Sequence, residues 1–165
     1  MNPRLFRATT LSLAVSFGAF SAHAASQDYE VVTDQEQSAC RDLPFSIGLT
    51  VKNIKKAKGV VTIDLHGGDP ERFMKKGAKL ARLRYPAGDG EMTVCVPVEQ
   101  AGRYAIVLYH DRDGDGKFDK TWIGLPDEPY GLSNDAPPRL GKPRYDEVSF
   151  EVTGPMTPVV ATLSK

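Results

Sequence analysis

The chain has 165 residues, carries 21 basic and 21 acidic side chains, and contains two cysteines. Balanced charge argues against a nucleic-acid partner, which requires a basic face. The length suits one domain with a usable hydrophobic core.

Arg4 and Arg7 form a short basic region, residues 11–20 are apolar and small, and Ala22-His23-Ala24 supplies small residues for a cleavage site. That order predicts a secretory signal peptide over 1–24, with the mature chain beginning at Ala25. The apolar run is too short for a bilayer, which needs about 20 residues. No second long apolar run follows, so no membrane span is expected, and the predicted location is periplasmic or secreted. Loss of Arg4 and Arg7 leaves the mature chain slightly acidic. In an oxidising compartment Cys40 and Cys95 are expected to form a disulfide. The bond is worth roughly 4 kcal/mol in the chain-entropy model.

Residues 25–43 are polar and without period, which predicts a mobile N-terminal arm; residues 44–165 then form a single β domain. From Phe45 the chain alternates: Phe45, Ile47, Leu49 and Val51 face one way, Ser46, Gly48, Thr50 and Lys52 the other. Half-buried strands have this period. Lys52, Lys55, Lys56 and Lys58 read as a solvated turn. Val61, Ile63 and Leu65 repeat the alternation, as do Ala81, Leu83 and Tyr85, and then Met92, Val94, Val96 and Val98. Gly88-Asp89-Gly90 predicts a hairpin between the last two. Asp69, Pro70 and Gly77 carry cap and stop signals for one short helix. Residues 104–109 are apolar on both faces and predict a central strand. Val148, Phe150 and Val152 alternate again, and residues 157–163 form a last strand with Pro155 and Pro158 at its start. The sum is an all-β fold, a seven-stranded antiparallel sandwich of immunoglobulin-like or transthyretin-like type with one long loop.

That loop, residues 110–145, is rich in aspartate and proline. Connections of this length inside a compact domain tend to be functional or disordered, and Trp122, Ile123 and Leu125 suggest that it packs. Within it Asp111, Asp113, Asp115, Gly116, Lys117 and Asp119 stand in the pattern D-x-D-x-D-G-x-x-D. Calcium takes six to eight oxygens, and carboxylates at alternate positions converge if the chain curls. Asp111, Asp113, Asp115 and Asp119, with the backbone carbonyl of Lys117, are the candidate ligands of a structural calcium ion. The twelfth position is Trp122 where an EF-hand needs glutamate, and a strand leads in, so Asp127, Glu128 or water must complete the set. The alternative is that the Asp-Gly pairs only form turns. His110 reads as a structural histidine, since zinc or copper wants more imidazole or thiolate.

Tyr104-Ala105-Ile106, His110-Asp111, Asp113, Asp115-Gly116-Lys117, Asp119, Gly124, Pro126, Glu128, Tyr130-Gly131 and Ser133-Asn134 resemble the signature of a family of secreted bacterial proteins, domain of unknown function 2141. The resemblance spans roughly 45–163, with residues 104–134 its specific part. Asp113 stands where the family often has asparagine, an exchange of one oxygen donor for another. The resemblance implies an exported β-sandwich and brings no activity with it.

No G-x-S-x-G is present, and Ser133, followed by Asn134, forms no triad pattern. The expected function is a binding or adhesion module for a protein, peptide or glycan ligand, with Trp122, Tyr130 and Tyr145 as candidate contact residues. The alternatives are a secreted hydrolase using loop carboxylates and a structural envelope protein without a specific ligand.

Overall fold

The structure is a computed structural model that describes residues 29–137, 139 and 141–165. The predicted signal peptide and the start of the predicted arm lie outside the described residues.

Among the described residues, eight strands form two sheets. The three-stranded sheet has the order β4-β1-β8, from β1 (Ser46–Ile54), β4 (Gly90–Pro97) and β8 (Thr157–Thr162). The five-stranded sheet runs β3-β2-β5-β6, from β2 (Val60–His66), β3 (Lys79–Pro86), β5 (Gly102–Asp111) and β6 (Tyr130–Leu132). Its fifth strand, β7 (Ser149–Val152), pairs with β5 near Tyr104. The alternating residues explain the stacking. Ile47, Leu49 and Val51 of one sheet meet Val61, Ile63, Leu65, Ile106 and Leu108 of the other in a single buried core.

Three sequence expectations need correction. Every predicted strand exists, but β6 adds an eighth, and β8 runs parallel to β1 rather than antiparallel. A three-residue strand with a central glycine offers no alternation to read. The expected hairpin at Gly88-Asp89-Gly90 is absent, because β3 and β4 belong to different sheets and the turn carries the chain across the core. The expected helix after Asp69 is a series of i to i+3 turns, broken by Met74 at φ 55°.

The predicted arm instead carries α1 (Asp34–Arg41). Thr33 accepts from the Glu36 N–H at 3.2 Å, and the Glu36 carboxylate accepts from the Thr33 N–H at 2.7 Å. This capping box satisfies two helix-end donors. Cys40 on α1 is disulfide-bonded to Cys95 on β4. Beside the bond, the Gln37 amide donates to the Cys95 carbonyl at 3.1 Å and accepts from the Cys95 N–H at 2.9 Å. The helix thus meets the hydrogen-bonding groups of β4 as a neighbouring strand would.

β2 is buried along its whole length, including Thr62 and Asp64. A sheet covered on both faces gives this pattern. At the end of β2 the His66 ring packs on Phe73, centroids 5.0 Å apart, and Phe73 belongs to a second cluster with Ala105, Leu132, Tyr145 and Val148, the last two on α2 (Tyr145–Val148).

Candidate functional site

β5 ends at Asp111, whose side chain is fully buried. Its Oδ1 accepts from the Gly114 N–H at 2.7 Å and its Oδ2 from the Gly116 N–H at 2.9 Å. One carboxylate holding two loop amides curls the chain. Gly114 and Gly116 take φ of 76° and 79° to allow it, a region costly for other residues. A side chain at Gly116 would also press on the Tyr29 ring, 3.2 Å from the Cβ position. Asp113 accepts from the Asp115 N–H at 3.3 Å and Asp115 from the Lys117 N–H at 2.8 Å. The turn-forming use of these aspartates is therefore realised.

The same curl gathers carboxylate oxygens of Asp111, Asp113 and Asp115 within 4.8 Å of one another. Such an all-oxygen group fits a metal ion of the hard type. Asp119 lies outside the group. Lys117 meets it through its ammonium, 3.3 Å from Asp115 Oδ2.

Glu128 closes the loop from the far side. Its Oε1 accepts from the Arg112 N–H at 3.1 Å and its Oε2 from the Asp119 N–H at 3.3 Å. Burial pushes its pKa up to about 7; the two N–H groups pull it down, and the charges of Asp111 and Asp119 push it up. Burial also raises Asp111, against the pull of the Gly116 and Gly114 amides, and Asp113 adds to the rise. The loop holds more negative charge than its own groups neutralise. Tyr29 covers it, with the Arg84 guanidinium 4.5 Å from its ring centroid. His110 is buried with Nε2 2.8 Å from the Lys58 carbonyl, a structural contact between β5 and the turn before β2.

Beyond the loop, residues 119–127 form a finger. Lys120 bridges Pro126, the Asp127 N–H donates to the Asp119 carbonyl at 2.8 Å, and the Thr121 N–H donates to the Leu125 carbonyl at 2.7 Å. Gly124 turns the tip at φ 83°. Because this backbone pairs with itself, its side chains project outward. Trp122 is 97% exposed, Ile123 58% and Leu125 43%. The packed Trp122 expected from sequence is therefore corrected: on a self-paired hairpin, apolar character does not fix burial.

Between finger and sheet runs a groove of about 540 Å³. Val107, Tyr109, Leu125, Pro126 and Tyr130 supply apolar lining, and Lys79, Arg82, Lys120, Arg139 and Lys142 supply charge. Asp64 is the one carboxylate among the lining residues. Arg82 holds it at 2.6 Å and Lys79 at 2.9 Å. Burial works to raise its pKa, and the two cations outweigh that and hold it low. Phe118 packs against Tyr109, centroids 5.1 Å apart, and against Tyr130 at 6.2 Å. Of the three aromatic contact residues read from sequence, Tyr130 lines the groove and Trp122 stands at the tip. Tyr145 is buried against Phe73, 5.5 Å away. The groove cations lie on separated segments and carried no local motif.

Ser133 is buried, and its Oγ accepts from the Ile106 N–H at 2.9 Å and lies 2.5 Å from the Val148 carbonyl. It ties β6 to β5 and to α2.

Residues 49–159 match the family described as "Uncharacterized protein conserved in bacteria (DUF2141)", and the chain belongs to that family. No curated protein and no solved structure matches it.

Proposed function

We propose that this bacterial protein is an exported binding or adhesion-type module, an immunoglobulin-like or transthyretin-like sandwich whose finger is set by a structural calcium loop. The observation that carries the reading is the succession, on one side of the five-stranded sheet, of aspartate loop, rigid finger and groove. Function on β scaffolds concentrates on loops held by a rigid frame. The Cys40–Cys95 disulfide supports an oxidising compartment, periplasmic or extracellular. No helix among the described residues is long and apolar enough to cross a membrane.

Calcium suits the donors because all are oxygens and the loop glycines leave the geometry adaptable, whereas magnesium demands a stricter octahedron. Asp111, Asp113 and Asp115 form the group; Asp119, Glu128, the Lys117 carbonyl and water are the candidates to complete it. The bound ion would displace the Lys117 ammonium from Asp115 and offset the excess charge that raises Glu128. Affinity on the order of 10⁻⁴–10⁻³ M is expected, as in extracellular modules. The test is calorimetry of calcium into the protein, together with melting in millimolar calcium and in chelator. Identical melting and no heat of binding would leave the aspartates as turn-formers only.

A further inference from the structure

We infer that the finger and groove dock on an anionic phospholipid surface, with Trp122, Ile123 and Leu125 entering the interface and the groove taking a phosphate headgroup. The inference rests on reading this face as a binding surface and names its partner.

Two independent features converge. First, the tip places its most exposed large apolar side chains together, on a hairpin stiffened by its own hydrogen bonds. Exposed apolar residues in a cluster mark an interaction site. Tryptophan in particular favours the membrane–water boundary, where its ring is half apolar and its N–H remains wet. Second, the groove beside the tip combines apolar and cationic lining. Lys79 and Arg82 engage Asp64, the single carboxylate among the lining residues, and Arg139 pairs with Glu147 at 2.7 Å, which leaves Lys120 and Lys142 without a carboxylate partner among the described residues. Apolar lining beside two unpaired lysines matches an acyl chain joined to a phosphate. Leu125 belongs to both the tip and the groove lining, which makes the two surfaces continuous.

The chain contains one tryptophan, so its emission reports on Trp122 alone. The disulfide-bonded protein is mixed with vesicles of phosphatidylcholine, with and without phosphatidylglycerol. Expected are co-sedimentation and a blue shift of Trp122 emission with the phosphatidylglycerol vesicles only. Trp122→Ser, at a position too exposed to unfold the chain, loses sedimentation. Lys120→Gln and Lys142→Gln each weaken binding about fivefold, the effect of one cation near an anionic surface. No sedimentation and no blue shift would overturn the inference. So would equal binding to pure phosphatidylcholine, or binding by Trp122→Ser at wild-type strength. Binding of soluble short-chain phosphatidylglycerol, or of poly-glutamate, without binding to vesicles would assign the groove to a free ligand or an acidic protein and also refute it. A protein that responds to calcium but ignores vesicles refutes the lipid partner and leaves the calcium-ordered module standing.

Discussion

The carboxylate of Glu128 accepts a hydrogen bond from the backbone N–H of Arg112 at 3.1 Å, across 16 residues of chain. With its second oxygen on the Asp119 N–H, it clamps both ends of the aspartate loop. Its pKa, pushed up to about 7, makes that clamp sensitive to pH.

A carboxyl raised in the fold from an ordinary value of 4.5 favours folding fully below 4.5 and loses that contribution as pH rises through about 7. Glu128→Gln cannot ionise, so its stability relative to wild type should improve between pH 4.5 and 7 in chelator. Urea midpoints across that range check it. A constant difference would show that Glu128 titrates normally. Calcium should release protons from the wild type near pH 7 and fewer from Glu128→Gln, which paired calorimetry in buffers of different ionisation heat will read.

Calcium at about ten times its dissociation constant should stabilise the protein by roughly 1.4 kcal/mol, a rise of a few degrees in melting temperature. Asp113→Ala and Asp115→Ala should lose that rise while keeping the β circular dichroism, since both side chains are exposed and the strands do not rest on them. Asp111→Ala should destabilise even in chelator, because its buried carboxylate holds the Gly114 and Gly116 amides. An unchanged calcium response in Asp113→Ala and Asp115→Ala would place the ion elsewhere.

Replacing both Cys40 and Cys95 by alanine should cost roughly 4 kcal/mol in the chain-entropy model. Unreduced protein should have a mass about two units below the dithiol form, one hydrogen lost per sulfur. Gln37→Ala should add a smaller loss of about 1–3 kcal/mol, because the buried Cys95 amide would lose its partner. Denaturant unfolding of the two variants separates the terms.

Ser133→Ala removes the oxygen that accepts from the buried Ile106 N–H. The expected loss is about 1–3 kcal/mol, the cost of an orphaned buried donor. Faster amide exchange at Ile106 would locate it on β5. An unaffected amide would mean that water replaces the hydroxyl.

Period-two alternation made β1, β2, β3, β4 and β7 legible, and the doubly apolar run of β5 marked a strand flanked on both edges, by β2 on one side and by β6 and β7 on the other. Pairing was less legible. Gly88-Asp89-Gly90 is a local turn signal, while the partner of β4 is β1, chosen by packing across the core. Helix α1 did carry a readable sign, Thr33 three residues before Glu36, but its weak apolar pattern left only Cys40 buried. In the site, the D-x-D-x-D-G spacing gave Asp111, Asp113 and Asp115, which depend on near neighbours alone. Whether Asp119 joins them depends on how the finger departs, and that is set by backbone bonds from residues 125 and 127. The exposure of Trp122 is not legible in sequence, which records apolarity and not the direction of a hairpin.

The parallel pairing of β8 with β1 puts Leu49 opposite Val159. Both neighbours of β1 are distant in sequence, but β4 pairs it through Leu49 and Val94, far sooner along the chain. Closing the longer loop costs more entropy before any contact rewards it, and non-local pairings of this kind slow folding. The expected order of assembly, which pulse-labelling hydrogen exchange during refolding will read, is β1 with β4 first, bringing Cys40 beside Cys95, and β8 later. Until β8 docks, β1 exposes an open edge, the state in which the chain is most prone to pair with a second copy. In that order, oxidation of the disulfide would precede closure of the sandwich and shorten the time that edge stays uncovered.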